Sequence, residues 1–246
     1  MIQNVFQIFL TGSKEELPPF LKRTTNSIPK YFRGFNHKIF VNEELRSFIK
    51  DNYDNEVLWA YDSLKPFSYK SDLGRFCLLH QYGGWYFDIA IECKKRFIPK
   101  HDIDLICFRD EQRHAKNSWA VAGGIIYSKP KNIIMLTAIE DVIRNCKEKW
   151  YGRTPLCPTG PGLLGEVIAK RNRGQEIVFG ELVRPMIPFT RKNFPLLKRL
   201  IKTRFILPNN ETIGIVKPAR GGDLKSLGVN SSNNYNTFWH EKNVYN

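Results

Sequence analysis

Apolar residues recur along this chain with two different periods, and the switches between them outline its elements. Residues 4–10 (NVFQIFL) form an apolar run closed by Thr11-Gly12, which predicts a strand. Residues 38–41 predict a short second strand. Asn42 can cap a helix over 43–50, where Leu45, Phe48 and Ile49 share one face, and a shorter helix is expected over 56–64. Ser71 stands as the N-cap of the next helix, with Asp72 in its first turn, where a carboxylate suits the helix dipole. Leu73, Phe76, Cys77 and His80 make its buried stripe, and Gly83-Gly84 stops it. From Trp85 to Cys93 the period drops to two. Trp85, Phe87, Ile89, Ile91 and Cys93 then face one way, and Tyr86, Asp88, Ala90 and Glu92 the other.

Further strands are expected at 105–109 and 124–128, and helices over 132 to about 149 and over 161–170. Strand signals return at 177–179 and 183–187. Residues 191–204 read as a short basic helix, and a hairpin joins 204–207 to 213–216 across Asn209-Asn210. The tail, 230–246, is polar. Strands alternate with helices over the first two-thirds of the chain. That predicts an α/β fold with a mainly parallel sheet, in one domain with a more irregular C-terminal part.

Composition changes this picture little, and charge changes it more. At 246 residues with 42% hydrophobic and 25% charged positions, the chain is long enough to bury a sizeable core. Its five Cys show no CxxC spacing and sit mostly in apolar runs, which predicts reduced core residues of an intracellular protein. The first residues lack a basic segment and a small-residue cleavage site, and no apolar run reaches about 18 residues. Neither a signal peptide nor a membrane span is expected. The net charge is +14, and residues 144–225 carry 17 Lys and Arg against 6 Asp and Glu. Such an excess points to an anionic partner or to a merely solvated basic surface.

There is no GxxxxGK[ST] loop, no GxGxxG after the first strand, no GxSxG and no HExxH, so a P-loop kinase or serine hydrolase is not expected. Asp72 and Arg75 lie three apart on a helix. They make either an ordinary surface ion pair worth a few tenths of a kcal/mol or a carboxylate and guanidinium held beside a cleft. Asp88 interrupts an apolar strand, and a buried carboxylate without partners costs several kcal/mol. It must therefore meet a donor, a metal or water at a cleft. Asp102-Ile103-Asp104 reads as a turn and strand start.

The stretch SDLGRFCLLHQYGGWYFDIAIE, residues 71–92, resembles the sugar-binding region of glycosyltransferase family 32, whose pattern is roughly [SA]-D-x-x-R-[YF]-x-x-L-x-x-x-G-G-x-Y-x-D-x-D. It matches at Ser71, Asp72, Arg75, Phe76, Leu79, Gly83, Gly84, Tyr86 and Asp88. The opening strand, the Pro158-Thr159-Gly160-Pro161 element and the tail residues Asn233, Asn234, Tyr235 and Trp239 extend the likeness more loosely. The resemblance implies a GT-A fold as a single domain, with 1–128 binding the nucleotide-sugar and 129–246 forming the acceptor side and a closing tail. It implies a UDP- or GDP-sugar donor, a saccharide or glycolipid acceptor and retention of anomeric configuration. Asp72, Arg75 and Asp88 would be the catalytic group. Gln7, Leu10, Tyr86, Asn117 and Trp239 would join them in holding the donor, with Trp119 near the acceptor.

Ala90 departs from the pattern, for it takes the place of the second Asp, the usual metal ligand. Mn²⁺ or Mg²⁺ would then be held by Asp88 with the diphosphate, aided by Asn234, Glu92 or His240, or Lys and Arg would replace the ion. Residues 190–204 hold six Lys and Arg and no acid, which suits either an anionic membrane surface or a solvated helix face. The expected setting is cytoplasmic, with membrane contact through that segment. Two rival functions stand beside the transferase: an inactive GT-A-fold sugar- or nucleotide-binding protein, and a basic nucleic-acid-binding protein. Against the second, the aromatic residues do not interleave with the basic cluster, so no nucleic acid is expected as a partner.

Overall fold

The computed structural model describes residues 2–111, 116–172, 174–184, 202–216 and 220–246. The predicted basic helix over 191–204 and the strand signal beyond 184 fall mainly outside them. Among the described residues nine strands form one curled sheet, β1 (Asn4–Phe9), β2 (Asn36–Val41), β3 (Gly84–Phe87), β4 (Ile91–Cys93), β5 (Leu105–Arg109), β6 (Val121–Ser128), β7 (Ile177–Val183), β8 (Arg204–Ile206) and β9 (Thr212–Val216). Their order is β2-β1-β3-β6-β5-β7-β8-β9-β4. The pairs β1–β2, β1–β3 and β5–β7 are parallel and the rest antiparallel, so the sheet is mixed where a mainly parallel one was expected.

The helices are α1 (Pro19–Tyr31), α2 (Asn42–Asn52), α3 (Asn55–Ser63), α4 (Phe67–Tyr82), α5 (Ile133–Lys147), α6 (Pro161–Arg171) and α7 (Tyr235–His240). Of these, α1 was not foreseen, and it carries Pro19 in its first turn and Pro29 in its last. The first sits at the start of the helix, where its missing N–H costs nothing. Asn132 caps α5 by accepting from the Ile134 N–H, as its place in the sequence suggests. Helix α4 begins earlier than expected, behind Pro66, so Ser71 lies inside it and caps nothing. Asn42 likewise spends its side chain elsewhere, accepting from the Thr11 N–H.

One core layer packs α2 to α6 against one face of the sheet around α4, which is buried on nearly every side. The other gathers Trp85, Phe87, Ile91, Phe108 and Phe205 inside the curl, with α1 closing it. Gly84 lets β3 enter beside β1: its φ is 109°, and a Cβ there would stand 2.5 Å from the Asn4 carbonyl oxygen. The strand predicted from Trp85 to Cys93 is cut at Asp88. A turn over residues 88–90, closed by the Ile91 N–H on the Asp88 oxygen (2.9 Å), sends the chain to the opposite margin of the sheet as β4. Asp104 starts β5 and pairs with Lys129 at 2.8 Å, as a strand start and not a site. Four of the five Cys are buried, and all five are free. No helix among the described residues is long and apolar enough to cross a membrane.

Candidate active site

The carboxyl ends of β1, β3, β5 and β7 point to the same edge of the sheet. That edge is where open α/β sheets collect ligands. A cleft of about 890 Å³ opens there. Leu10 follows β1, Asp88 follows β3, Asp110 follows β5 and Arg184 follows β7, and all four line the cleft. The opposite lip comes from residues 153–156 and 160–161 before and at the start of α6, and from the C-terminal tail with Tyr235, Trp239 and His240.

At its floor Arg75 joins two carboxylates. Its Nη2 lies 3.1 Å from Asp72 Oδ1 and 3.2 Å from Asp88 Oδ1. Nη1 donates to the Gly123 carbonyl, Nε to the Ser71 carbonyl at 3.3 Å, and the guanidinium stacks 4.6 Å above the Tyr86 ring. The Tyr86 hydroxyl in turn donates to Asp88 Oδ1 at 2.8 Å, and Thr159 donates to Asp72 Oδ2 at 2.8 Å. The i, i+3 pair is thus no surface ion pair. Arg75 and Asp72 are both buried, while the Asp88 side chain is 40% exposed to the cleft. The β6 glycine Gly123 keeps the space open, since a Cβ there would stand 2.4 Å from Arg75 Nη1.

Burial sets the electrostatics. Desolvation pushes the Asp72 carboxyl up to about 6, against the lowering pull of Arg75 and the Thr159 hydroxyl. Burial disfavours the Arg75 cation as well, but Tyr86, Asp88 and Asp72 outweigh it and hold its pKa above the ordinary arginine value. The Tyr86 hydroxyl is driven upward by burial and stays a donor. The turn carrying Asp88 is fixed from behind. The Asp88 carbonyl accepts from Gln7 Nε2 at 3.4 Å, and the Ile89 carbonyl accepts from the Thr24 hydroxyl at 2.6 Å.

The structure therefore brings together Asp72, Arg75, Tyr86, Asp88, Leu10, Trp239 and His240 on one cleft. Five residues expected to make contacts lie off it. Gln7 is fully buried behind the Asp88 turn and bonded to His37, so it positions the turn and cannot touch a donor. Glu92 was expected on the Asp88 face of a continuous strand; the turn at 88–90 moves it to β4, where it pairs with Lys94. Asn234 caps α7, accepting from the Asn236 N–H at 2.9 Å. Asn117 and Trp119 lie outside the lining, which their neighbour Lys116 reaches instead.

No group of three or more His, Cys, Asp and Glu able to hold a metal ion occurs among the described residues. Ala90 lines the cleft with a methyl group. Asp88 Oδ2 accepts no hydrogen bond among the described residues, which leaves this oxygen available in the cleft. The cleft thus offers a hard cation one free carboxylate oxygen from Asp88. Sequence reasoning missed the roles of Thr159, Asp110, Arg184 and Tyr235. For Asp110 a signal was present: an acid just beyond an apolar strand (LICFRD).

The profile of a family described as capsular polysaccharide synthesis protein matches residues 1–149, which contain the whole Asp72–Arg75–Asp88 group. The chain belongs to that family. Individual relatives carry glycosyltransferase names. An uncharacterized glycosyltransferase of Acanthamoeba polyphaga mimivirus is 33% identical over 96 residues, 39% of this chain and 38% of the relative. Inositol phosphoceramide mannosyltransferase 1 of Schizosaccharomyces pombe is 30% identical over 91 residues, 35% of this chain and 27% of the relative. A mannosyl phosphorylinositol ceramide synthase of Saccharomyces cerevisiae is 22% identical over 198 residues, 73% of this chain and 50% of the relative. The chain thus spans half or less of the length of these curated relatives. Among solved structures, the PaToxG glycosyltransferase superposes with a TM-score of 0.53 at 15% identity, over 70% of each chain. That likeness gives the fold, a curled mixed sheet with flanking helices of the GT-A type.

Proposed function

We propose that this chain is a glycosyltransferase that moves a hexosyl group from a UDP- or GDP-sugar to a hydroxyl of a glycan or lipid-linked saccharide. The observation that carries the proposal is the Arg75 bridge between Asp72 and Asp88, placed at the carboxyl edge of the sheet. Two relatives are named as mannosyltransferase and mannosyl phosphorylinositol ceramide synthase, so mannose is the first donor sugar to test. The family's description makes a capsular glycan the first acceptor class.

In the reaction the bond from the sugar C1 to the diphosphate oxygen breaks, and its electron pair leaves with the nucleoside diphosphate. The acceptor oxygen bonds to C1, and its proton passes to the departing diphosphate oxygen on the same face of the sugar. The remaining lone pairs of Asp72 and Asp88 accept from donor-sugar hydroxyls, and Arg75 holds both carboxylates in one orientation, which turns binding into alignment. Lys116 and Arg153 line the cleft with Trp239 and His240, and the two basic side chains, Lys116 and Arg153, stabilise the charge that develops on the diphosphate. Asp88 Oδ2 would hold a Mn²⁺ or Mg²⁺ ion shared with that diphosphate, and such an ion supplies further charge neutralisation at the leaving oxygens. Asp72 is engaged by Arg75 and Thr159, and Asp88 Oδ2 is assigned to the ion, so neither is assigned as nucleophile, and retention proceeds with acceptor and leaving group on the same sugar face.

One observation favours a second reading, a protein that binds donors without turning them over: Ala90 removes the second carboxylate. Thermal unfolding with a panel of UDP- and GDP-sugars, with and without Mn²⁺, separates these outcomes when paired with an assay of nucleoside diphosphate release. A donor at a hundredfold its Kd stabilises by about 2.7 kcal/mol. Stabilisation with turnover supports transfer, stabilisation alone supports the binding reading, and no response to any donor contradicts both.

A further inference from the structure

The cleft has a second polar group that the donor site does not use. Asp110, one residue beyond β5, has its side chain only 4% exposed although it belongs to the cleft wall. Its Oδ1 accepts from the Glu111 N–H at 2.7 Å and from Arg184 Nη2 at 3.2 Å. Its Oδ2 accepts nothing from the described residues. Arg184, one residue beyond β7, keeps about a third of its side chain exposed. Because β5 and β7 are parallel neighbours, with Arg109 opposite Glu181, their carboxyl ends set these two side chains next to each other.

Tyr235 completes the group. Its ring stacks on Tyr69 with centroids 5.8 Å apart, and its hydroxyl has no hydrogen-bond partner among the described residues. Burial raises the hydroxyl to about 12, with Asp72 and Asp110 adding to the effect and Arg184 opposing it. The hydroxyl is therefore protonated and able to donate, and Tyr235 lines the same cleft as Asp72, Asp110 and Arg184. In the sheet order β3-β6-β5, the ends of β3 and β5 are two strand spacings apart, roughly 10 Å. That is the span of one sugar ring beyond the ring held at Asp88.

We propose that Asp110, Arg184 and Tyr235 form the acceptor subsite of this cleft, which grips adjacent hydroxyls of a neutral hexopyranoside. The carboxylate accepts from one hydroxyl, and the guanidinium and the phenol donate to its neighbours. This proposal rests on the transferase reading for its context, since the acceptor sugar must lie next to the donor sugar. The chemistry favours hydroxyls over a second phosphate, because a phosphate would meet the buried Asp110 carboxylate.

The test uses the full chain with methyl α- and β-hexopyranosides as acceptor probes. Donor turnover is followed as hydrolysis to water and as transfer to the glycoside. Asp110→Asn is expected to lower the transfer-to-hydrolysis ratio at least tenfold while hydrolysis stays within twofold of wild type. Tyr235→Phe, which removes only a hydroxyl, is expected to lower the ratio threefold or more. A parallel fall of hydrolysis and transfer with unfolding temperature unchanged, or an unchanged ratio, overturns the subsite. Where a variant unfolds early, the other decides. If wild type turns over no donor, the transferase reading fails separately, and saturation-transfer NMR with the same glycosides still decides this one. Signal kept in Asp72→Asn and lost in Asp110→Asn supports it; no signal in wild type, or equal signal in both variants, overturns it.

Discussion

Removing Arg75 probes the site through stability as well as activity. The guanidinium is buried and contacts Asp72, Asp88, the Gly123 and Ser71 carbonyls and the Tyr86 ring. Arg75→Ala leaves Asp72, itself buried, with Thr159 as its hydrogen-bond partner. Breaking a buried ion pair from one side costs about 3–5 kcal/mol. In a chain of this size each kcal/mol moves Tm by about 2–4 °C, so a fall of about 6–20 °C is expected near pH 8. The cost must depend on pH, because Asp72 can escape it by taking a proton. Its folded pKa already stands raised at about 6, above the ordinary 3.8. A carboxylate raised in the folded state favours folding below its unfolded pKa and loses that contribution as pH rises through its folded pKa. Without Arg75 the folded pKa climbs further, so the loss continues to higher pH and the gap between variant and wild type widens from pH 5 to pH 8. Thermal or urea unfolding at both values measures it. A gap below about 1 kcal/mol, or one equal at the two pH values, would refute the buried-pair account, whereas Arg75→Ala with Asp72→Asn should recover most of the loss at pH 8.

Other outcomes follow from the same geometry. Thr159→Val removes the hydroxyl that donates to Asp72 Oδ2, so the acid limb of kcat/KM, expected at about 6 from Asp72, should move to higher pH with a stability cost of about 1 kcal/mol near pH 8. Gln7→Leu should keep Tm within a few degrees yet lower kcat about tenfold, since Gln7 holds the Asp88 carbonyl without reaching the cleft; a change confined to donor KM would contradict that positioning role. Ala90→Asp returns a second carboxylate to the turn beside Asp88 and should tighten Mn²⁺ binding, read by calorimetry with nucleoside diphosphate present, about tenfold or more. Gly84→Ala, at φ 109° with the Asn4 carbonyl in the way, should lower stability by more than about 2 kcal/mol.

Much of the site was legible because its residues are close in sequence. Asp72, Arg75, Tyr86 and Asp88 lie on one helix, one Gly-Gly turn and one short strand, so local periodicity placed them and the resemblance gave them a purpose. Glu92 was misplaced because alternation carried through Asp88 to Cys93. A turn of three residues keeps the apolar–polar beat while it reverses the chain, and period alone cannot see it. Gln7 read as a strand residue facing a ligand, yet the strand pairs on both sides and its side chain is spent on the neighbouring backbone. Asp110, Arg184 and Tyr235 come from three distant segments, and only the parallel pairing of β5 with β7 and the return of the tail bring them together. Helix α1 went unpredicted, and α4 was given a late start because its cap was placed at Ser71, five residues beyond Pro66.

The central claim is that Arg75 holds Asp72 and Asp88 as one donor-sugar site. Release of nucleoside diphosphate from a panel of UDP- and GDP-sugars, measured for wild type and for Asp88→Asn under identical conditions, tests it most directly. Wild type should turn over at least one donor, and Asp88→Asn should lose at least a hundredfold in kcat/KM while its unfolding temperature stays within a few degrees. Turnover by Asp88→Asn within tenfold of wild type would contradict the site, and no turnover of any donor by wild type would contradict the function.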